Sequence, residues 1–199
     1  DIDSESKLDV SLNPDFGQVE SDDVIINFSA NETFYPDKRP FFTENQSLFD
    51  ITGWDLRFIN TRRIGGAPDK CSDSNEAHLG QCDSSISDTS DINYALRYTK
   101  EGQVNKYGFF MANEDDSLFS EGRDYFAFRY RANLSKNNGK VGYLVTSADR
   151  PSIDRRATAN VMDFDFKPSF ASRLYGWAGE IDIKEKGIQK KGYGFKTNY

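Results

Sequence analysis

The chain contains no run of eighteen or more apolar residues, so the sequence has no candidate for a membrane-spanning helix. Histidine occurs once and cysteine twice among 199 residues. A single histidine gives little support to a Ser-His-Asp triad, and no glycine-rich phosphate loop is present. Acidic residues outnumber lysine and arginine by 32 to 25, which gives a net charge of −7. Because phosphate binding requires clustered lysine and arginine, this balance argues against a nucleic-acid partner.

Aromatic residues, in contrast, are abundant in a chain that is otherwise polar. Hydrophobic residues make up 37% and charged residues 29% of the chain, yet 16 phenylalanines and 10 tyrosines are present. Disordered chains are poor in aromatic residues, which argues against disorder. This combination is typical of a protein with a thin apolar surface band around a wet interior.

Alternation of apolar and polar residues dominates the second half of the chain and predicts β-strands. Successive side chains of a strand point to opposite faces, so each strand is expected to have one apolar face and one small or charged face that water wets. The predicted apolar faces comprise Ile92, Tyr94, Leu96 and Tyr98; Phe126, Phe128, Tyr130 and Ala132; Val141, Tyr143 and Val145; Met162, Phe164 and Phe166; Tyr175, Trp177, Ile181 and Ile183; and Tyr193, Phe195 and Tyr199.

The spacing of these segments predicts how they connect. The links at 101–105 and 135–139 are short, whereas the links at 114–123 and 150–157 are predicted to be long. This rhythm, with strands of about 9–11 residues, is typical of membrane barrels. The predicted fold class is therefore all-β, an antiparallel meander that forms a partial transmembrane β-barrel with a long irregular segment near the N-terminus. A soluble sandwich, in which the apolar face meets a second sheet, is the alternative.

We expect a single domain, a fragment of one barrel. It comprises a strand end at 1–12, a long irregular lumen or external segment at 13–90, and up-and-down strands at 91–199. The chain begins without methionine or an apolar leader and ends inside a strand-like pattern, which indicates an internal fragment with a sheet edge that further strands would cover. So long an irregular segment is uncommon unless it has a function, and in a barrel it would fold inward as a constriction or plug.

Three stretches resemble a known family: NPDFGQVE at 13–20, ETFYPDKRPFF at 32–42 and TRRIG at 61–65. They are similar to those of Gram-negative outer-membrane proteins in which a periplasmic carbohydrate-binding family nine-type domain precedes a C-terminal barrel domain of unassigned function. The resemblance implies an outer-membrane location and barrel architecture, but no reaction. Its motif residues are Asn13, Pro14, Asp15, Phe16, Gln18, Val19, Glu20, Glu32, Phe34, Pro36, Lys38, Arg39, Pro40, Phe41, Phe42, Arg62 and Arg63.

The charged motif residues have two interpretations. Lys38, Arg39, Arg62 and Arg63, together with Glu20, Glu32 and Asp37, are predicted to form a salt-bridge network that holds the long segment inside the lumen, because arginine pairs bidentately with carboxylates. Alternatively, the cations form a constriction that selects solutes. Phe34, Phe41 and Phe42 are predicted to be packing anchors rather than a platform for sugars.

Cys71 and Cys82 lie in a polar stretch and are predicted to form a disulfide, as suits an oxidising compartment. His78 lies between them, but two cysteines and one histidine fall short of the four ligands of a structural zinc site. We predict no metal and no cofactor. Calcium in the acidic loops, at Asp69, Asp73, Glu76 and Asp83 or at Glu114 to Asp116, remains an alternative, because hard cations take oxygen ligands.

Glu180, Asp182 and Glu185 resemble the ExDxxE signature of laminarinase-like glycoside hydrolases of family sixteen. In that family the first glutamate is the nucleophile and the last is the acid/base. Strand parity places Glu185 opposite to Glu180 unless a bulge intervenes. On the barrel interpretation, Glu180, Asp182 and Lys184 face the wet lumen instead.

The predicted function is that of an outer-membrane barrel fragment with a channel, uptake or structural role. No enzymatic reaction is predicted. Its expected partners are outer-membrane lipid and the remainder of the same barrel, with any solute or glycan unidentified. The alternatives are a retaining glycoside hydrolase and a soluble glycan-binding β-sandwich. A second sheet packed on the aromatic rows would overturn the membrane hypothesis.

Overall fold

A computed structural model describes residues 5–14, 37–44, 46–51, 58–66, 68–69, 89–117, 120–134, 139–169 and 171–199. Strands account for most of these residues. The helical elements are one short helix, α1 (Pro40–Thr43), and 3₁₀ turns at Gln46–Leu48, Thr61–Arg63 and Pro151–Ile153. No helix in these ranges is long and apolar enough to cross a bilayer.

The strands form one eight-stranded antiparallel sheet in which every strand pairs with its neighbour in sequence. The prediction of an all-β antiparallel meander is therefore confirmed. The sheet is not closed, because in the described part of the chain the first strand pairs only with the second and the last only with the seventh. Its strands are β1 (Ser6–Leu12), β2 (Ile92–Glu101), β3 (Asn105–Glu114), β4 (Asp124–Leu134), β5 (Gly139–Arg150), β6 (Arg155–Ser169), β7 (Ser172–Glu185) and β8 (Ile188–Asn198).

The two faces of the sheet differ in what packs against them. Directly opposed residues of an antiparallel pair lie on one face, so the register assigns every side chain to a face. One, the covered face, packs against the described residues of 37–44, 46–51, 58–66 and 68–69, which we call the inner segment. The buried cluster contains no sheet residue of the other, uncovered face. Leu12, Met162 and Phe195 of the uncovered face remain 74%, 66% and 81% exposed.

Small side chains on the covered face make room for bulky side chains of the inner segment. Ala95, Ala112 and Ala127 are almost fully buried beneath it. Each aromatic or aliphatic side chain buried here contributes about 1.5–3 kcal/mol. The residues that the inner segment contributes to the buried cluster are Phe42, Leu48, Phe49, Ile51 and Ile64.

The packed covered face corrects the expectation that the small and charged rows are wetted. Arg129, in the middle of β4, is 0% exposed, and Arg97 and Thr99 of β2 are also buried. Water is excluded here because the inner segment packs directly on β2 to β6. The alternation of residues within a single strand cannot reveal that a distant segment of the chain packs on one of its faces.

Local irregularities correct two further expectations. The register of β2 and β3 shifts between Ile92 and Tyr94, so that Ile92 opposes Glu114 and points to the covered face, where it is buried. It therefore does not share a face with Tyr94, as alternation predicted. The connection predicted at 150–157 is also shorter than expected, because β5 runs to Arg150 and β6 begins at Arg155.

The apolar row of β7 lies on the face opposite to the one predicted. Trp177 opposes Asp163 and Ile181 opposes Ala159, which places both residues on the covered face. The Trp177 ring packs edge-on against Phe58, with the ring centroids 5.6 Å apart. Tyr175 and Ile183 have the same parity. The register of the β6–β7 hairpin, which shifts between Phe166 and Ser169, determines this outcome, and parity within one strand cannot reveal it.

Gly108 provides a test of the packing between the inner segment and the sheet. A Cβ atom there would lie 2.6 Å from the Tyr98 carbonyl oxygen and 2.9 Å from Leu48 Cδ2. We expect Gly108→Ala to lower the free energy of unfolding by about 1–3 kcal/mol in chemical denaturation. Gly192→Ala is the control, since its Cβ would meet only Ile181 Cγ2, at 3.0 Å. Equal stability of the two variants would contradict the packing described here.

Candidate functional site

Arginines that project from the covered face bind the inner segment through its backbone. An irregular segment presents carbonyl groups without partners, and burying such a group unpaired is costly. Arginine has five N–H donors in a fixed fork and can satisfy a carbonyl and a carboxylate together. The residues that bind the inner segment in this way are Arg97, Arg129 and Arg131 of the strands and Arg123, which directly precedes β4, and Arg150 of β5 pairs with Asp69.

Arg97 of β2 joins β1, β2 and helix α1. Its guanidinium donates to the carbonyl oxygens of Phe41 and Glu44, at the carboxyl end of α1. The Nη2 atom also donates to Asp9 Oδ2 at 2.7 Å and to Glu44 Oε2 at 3.0 Å. The two carboxylates thereby neutralise the charge of Arg97, and Arg97 satisfies carbonyl groups at the end of the helix.

Arg129 of β4 has the same role closer to the centre of the sheet. Its Nε donates to the Leu48 carbonyl oxygen at 3.2 Å, and Nη2 donates to Asp163 Oδ1 at 3.0 Å, while Nη1 contacts the second carboxylate oxygen of Asp163. Gly142 of β5 opposes Asp163 in the register, next to the pair that Asp163 forms with Arg129. A Cβ atom on Gly142 would lie 2.7 Å from Arg129 Nη2, so the absence of a side chain there allows the pair to form.

Glu114 and Arg123 anchor the far end of the inner segment. Arg123 pairs with Glu114 through Nε and Nη2, and Nη2 also donates to the Gly66 carbonyl oxygen at 3.0 Å. Glu114 Oε1 in turn accepts a hydrogen bond of 2.8 Å from the backbone N–H of Gly65. Gly65 has a φ of +76°, a conformation that side chains other than glycine's rarely adopt. The backbone bend at the family-like TRRIG stretch is therefore fixed by a carboxylate of the sheet.

Among the predicted network residues, Arg39 and Asp37 form a buried pair. Arg39 donates to Asp37 through both Nε (2.9 Å) and Nη2 (2.7 Å), and to the carbonyl oxygens of Ile64 and Thr61 at 2.7 and 2.8 Å. Burial by itself raises the pKa of Asp37, but the hydrogen bonds and positive charge of Arg39 outweigh it, so the pKa of Asp37 lies below its ordinary value. The Arg39 guanidinium also lies 4.0 Å from the centre of the Phe42 ring.

The other motif residues are placed as follows. Phe42 is buried and Phe41 packs edge-on against it, with centroids 5.2 Å apart, as expected of packing anchors. Lys38 and Arg63 are exposed and Arg62 is half-buried. Asn13 and Pro14 follow β1, and Pro40 begins α1. The predictions for Asp15, Phe16, Gln18, Val19, Glu20, Glu32, Phe34, Pro36, Asp73, Glu76, His78, Asp83 and the Cys71–Cys82 disulfide lie outside the described residues.

The carboxylates of the hydrolase-like stretch do not gather on one face. Glu180 opposes Asn160 and Asp182 opposes Thr158, which places both on the uncovered face, opposite to the face predicted for them. Glu185 opposes Arg155 on the covered face. The pairing of β6 with β7 contains no bulge between Phe166, where the irregularity at the hairpin begins, and Arg155. Retaining hydrolysis needs its two carboxyl groups about 5–5.5 Å apart in one cleft, flanking the scissile bond, and carboxylates on opposite faces of a sheet do not form this arrangement. Across the described residues, no group of three or more histidine, cysteine or acidic side chains could hold a metal.

Most of the residues that hold the inner segment were not singled out from the sequence. Arg97, Arg123, Arg129 and Asp163 were not among the candidate site residues, and Glu114 was named only as a possible calcium ligand. The signal available for Arg97 and Arg129 was a charge in the middle of a strand, with an alanine two residues before it. Such a charge requires a partner when the face is dry.

The fold is thus an unclosed, eight-stranded antiparallel meander with an irregular segment packed on one face. Residues 2–93 match the model of a family described as a domain of unknown function, DUF5916. The match spans β1, the inner segment and the first residues of β2. It supports the expected relationship to a domain family of unassigned function. Comparisons of the chain with curated proteins and with solved structures found no match.

Arg129 tests whether the charged contacts hold the inner segment. We expect Arg129→Leu to lower the free energy of unfolding by about 3–5 kcal/mol, because it leaves the Asp163 carboxylate without its partner. Lys106→Gln is the control: it removes the exposed ion pair with Glu101 and should cost less than about 1 kcal/mol. Chemical denaturation measures both, and limited proteolysis reports release of the inner segment. Similar stabilities would show that Arg129 does not anchor it.

Asp37 makes part of the stability depend on pH. Its lowered pKa means that the stabilisation by the Arg39 pair is fully present above the unfolded pKa of about 3.9 and is lost as the pH falls through the folded value. Asp37→Asn should therefore cost about 3 kcal/mol at neutral pH. The difference from the wild type should shrink once the pH falls below about 4. Lys38→Gln, a change at the exposed neighbour, is the control; a difference that persists at low pH would exclude this pair as its source.

Proposed function

We propose that the chain is part of an outer-membrane β-barrel whose uncovered face contacts lipid and whose inner segment is a plug. One observation carries the proposal: an apolar band lies on the face that no described element covers, and it runs obliquely across the strands. The band comprises Leu8, Val10, Leu12, Tyr94, Leu96, Tyr98, Tyr107, Phe109, Met111, Phe126, Phe128, Tyr130, Val141, Tyr143, Val145, Met162, Phe164, Phe166, Leu174, Tyr193 and Phe195.

The oblique course can be measured against the register. The row of opposed residues that starts at Leu96 continues through Met111, Phe126 and Ser147 to Thr158. Leu96 is the centre of the apolar stretch of β2. On β6 this row is polar, and the centre of the apolar stretch is Phe164, six residues further along the strand.

The resulting angle matches that of a membrane barrel. Six residues correspond to about 20 Å along a strand, and the four strand spacings between β2 and β6 correspond to about 19 Å, so the band crosses the rows at about 45°. Strands of membrane barrels are tilted by about 35–45°, and a level hydrocarbon layer would meet them along such an oblique band. The strands contain 10 to 15 residues from β2 to β8, enough to span a bilayer at that tilt.

The borders of the band are polar on both sides. Lys100 and Asn105 lie beyond Tyr98 and Tyr107 at one border, where the Tyr130 hydroxyl donates to Asn105 Oδ1 at 3.0 Å. Tyrosine is enriched where lipid tails meet water, because one end of its side chain is apolar and the other polar.

At the other border the polar residues follow the same oblique course as the band. They are Asp124, Asp149, Thr158, Asn160, Glu180 and Asp182.

The packing of the covered face favours a plug rather than an open pore along β2 to β6. A cavity of about 20 Å³ remains between the inner segment and the sheet, next to Phe41, Arg97 and Phe110. This space is close to the minimum for one water molecule. A structural or gated role therefore fits this part of the barrel better than free passage of solutes.

Further strands of the same barrel are the proposed partners of the two sheet edges. A long uncovered edge is a site for pairing, and a barrel removes it by closure. The outer-membrane location rests on the family-like stretches around Asn13, Arg39 and Arg62 together with the apolar band.

Arginine substitutions within one row test the proposal. Leu96→Arg places a charge at the centre of the band, which costs about 2–4 kcal/mol at a bilayer midplane and should lower flotation with phosphatidylcholine vesicles by at least about tenfold. Thr158→Arg lies in the same row of the same face but outside the band, and should leave flotation almost unchanged. If neither or both variants lose flotation, the oblique band is not a lipid contact.

A further inference from the structure

A groove of about 460 Å³ lies on the uncovered face where the apolar band meets its polar border. Tyr94, Met111 and Phe126 form its apolar part. Asp124, Asp149 and Arg156 line the opposite side. A site with an apolar floor and charges along one edge fits an amphipathic molecule.

The charges in this groove are unbalanced. Asp124 and Asp149 oppose each other directly on β4 and β5, an arrangement that is unfavourable for like charges. Arg156 pairs with Asp149, with its Nε at 2.8 Å from Asp149 Oδ2. Within the described residues Asp124 receives one hydrogen bond, from Asn113 Nδ2 at 2.8 Å, and forms no ion pair. A second cation with N–H donors would complete the site.

We infer that this groove binds the headgroup of a phospholipid that carries a primary ammonium, as in phosphatidylethanolamine. This inference rests on the proposed lipid contact of the uncovered face. The ammonium would lie between Asp124 and Asp149, and the phosphate would accept from N–H groups of Arg156 that Asp149 does not use. The hydroxyls of Ser147 and Thr158 line the same groove, at the level of the glycerol esters.

The same chemistry discriminates between headgroups. A trimethylammonium group has no N–H to donate to the two carboxylates, so phosphatidylcholine loses these hydrogen bonds. A headgroup with only negative charge, as in phosphatidylglycerol, meets the repulsion of Asp124 and Asp149. The groove should therefore select the ammonium lipid over both.

The test uses the full chain reconstituted in vesicles with equal parts of phosphatidylethanolamine, phosphatidylcholine and phosphatidylglycerol. Lipids retained after extraction in detergent are quantified by mass spectrometry against the bulk mixture. We expect enrichment of phosphatidylethanolamine by at least about tenfold, the effect of one hydrogen bond to a charged group. Asp124→Asn combined with Arg156→Gln should abolish the enrichment, whereas Arg156→Lys should retain part of it.

A matched control comes from an acid–base pair on the same face outside the groove. Asp182 and Lys191 oppose each other on β7 and β8, with the Lys191 ammonium 3.6 Å from the Asp182 carboxylate. Asp182→Asn combined with Lys191→Gln should leave the enrichment unchanged. Flotation separates the two hypotheses: a chain that floats without enrichment, or with phosphatidylglycerol enriched instead, overturns the headgroup site alone. A chain that does not float overturns both.

Discussion

Burial of an irregular segment against a sheet depends on donors for its carbonyl groups. Here the donors are guanidinium groups, with Arg97 and Arg129 projecting from the strands and Arg39 from the segment itself. Each also binds a carboxylate, so its charge does not stay unpaired in a dry interior. Such pairs add little net stability over an apolar core, but they specify one position of the segment, because a shift by one residue would leave both charges and carbonyls unpaired.

The packing of the inner segment on the covered face is linked to the kind of side chain that the strands carry on the uncovered face. From β2 to β6 the covered face combines small and charged side chains with a few large apolar ones, such as Phe110 and Leu144, and the inner segment supplies further apolar groups that fill it. From β2 to β6 most of the large aromatic side chains are thereby left on the uncovered face, outside the buried cluster. A band of this extent on a soluble domain would be an aggregation hazard, whereas lipid tails would satisfy it.

The strands and most of their faces could be predicted from the sequence because alternation is a local property. From Tyr94 to Phe166 the apolar rows lie together on one face, as expected. The predicted faces were wrong where contacts with residues distant in the sequence determine the direction of a side chain. The bulge at Ile92 depends on its packing beside Gly65, and the face of Trp177 depends on the hairpin register and on Phe58. The site was predicted in part, since Arg39 and Asp37 were expected to pair. The residues of the sheet that bind the inner segment were not predicted. Their role depends on where the inner segment packs on β2 to β6, and no pattern within one strand reveals this position.

The uncovered face is proposed to lie in a bilayer along an oblique band. Site-directed spin labelling measures this directly, with Cys71 and Cys82 replaced by serine and single labels at Leu96, Thr158 and Phe164 of the vesicle-bound chain. The account predicts that Leu96 and Phe164 lie at the same depth among the acyl chains, accessible to oxygen, and that Thr158 lies close to the aqueous surface. Equal depths for Leu96 and Thr158, or access of aqueous reagents to all three labels, would contradict it.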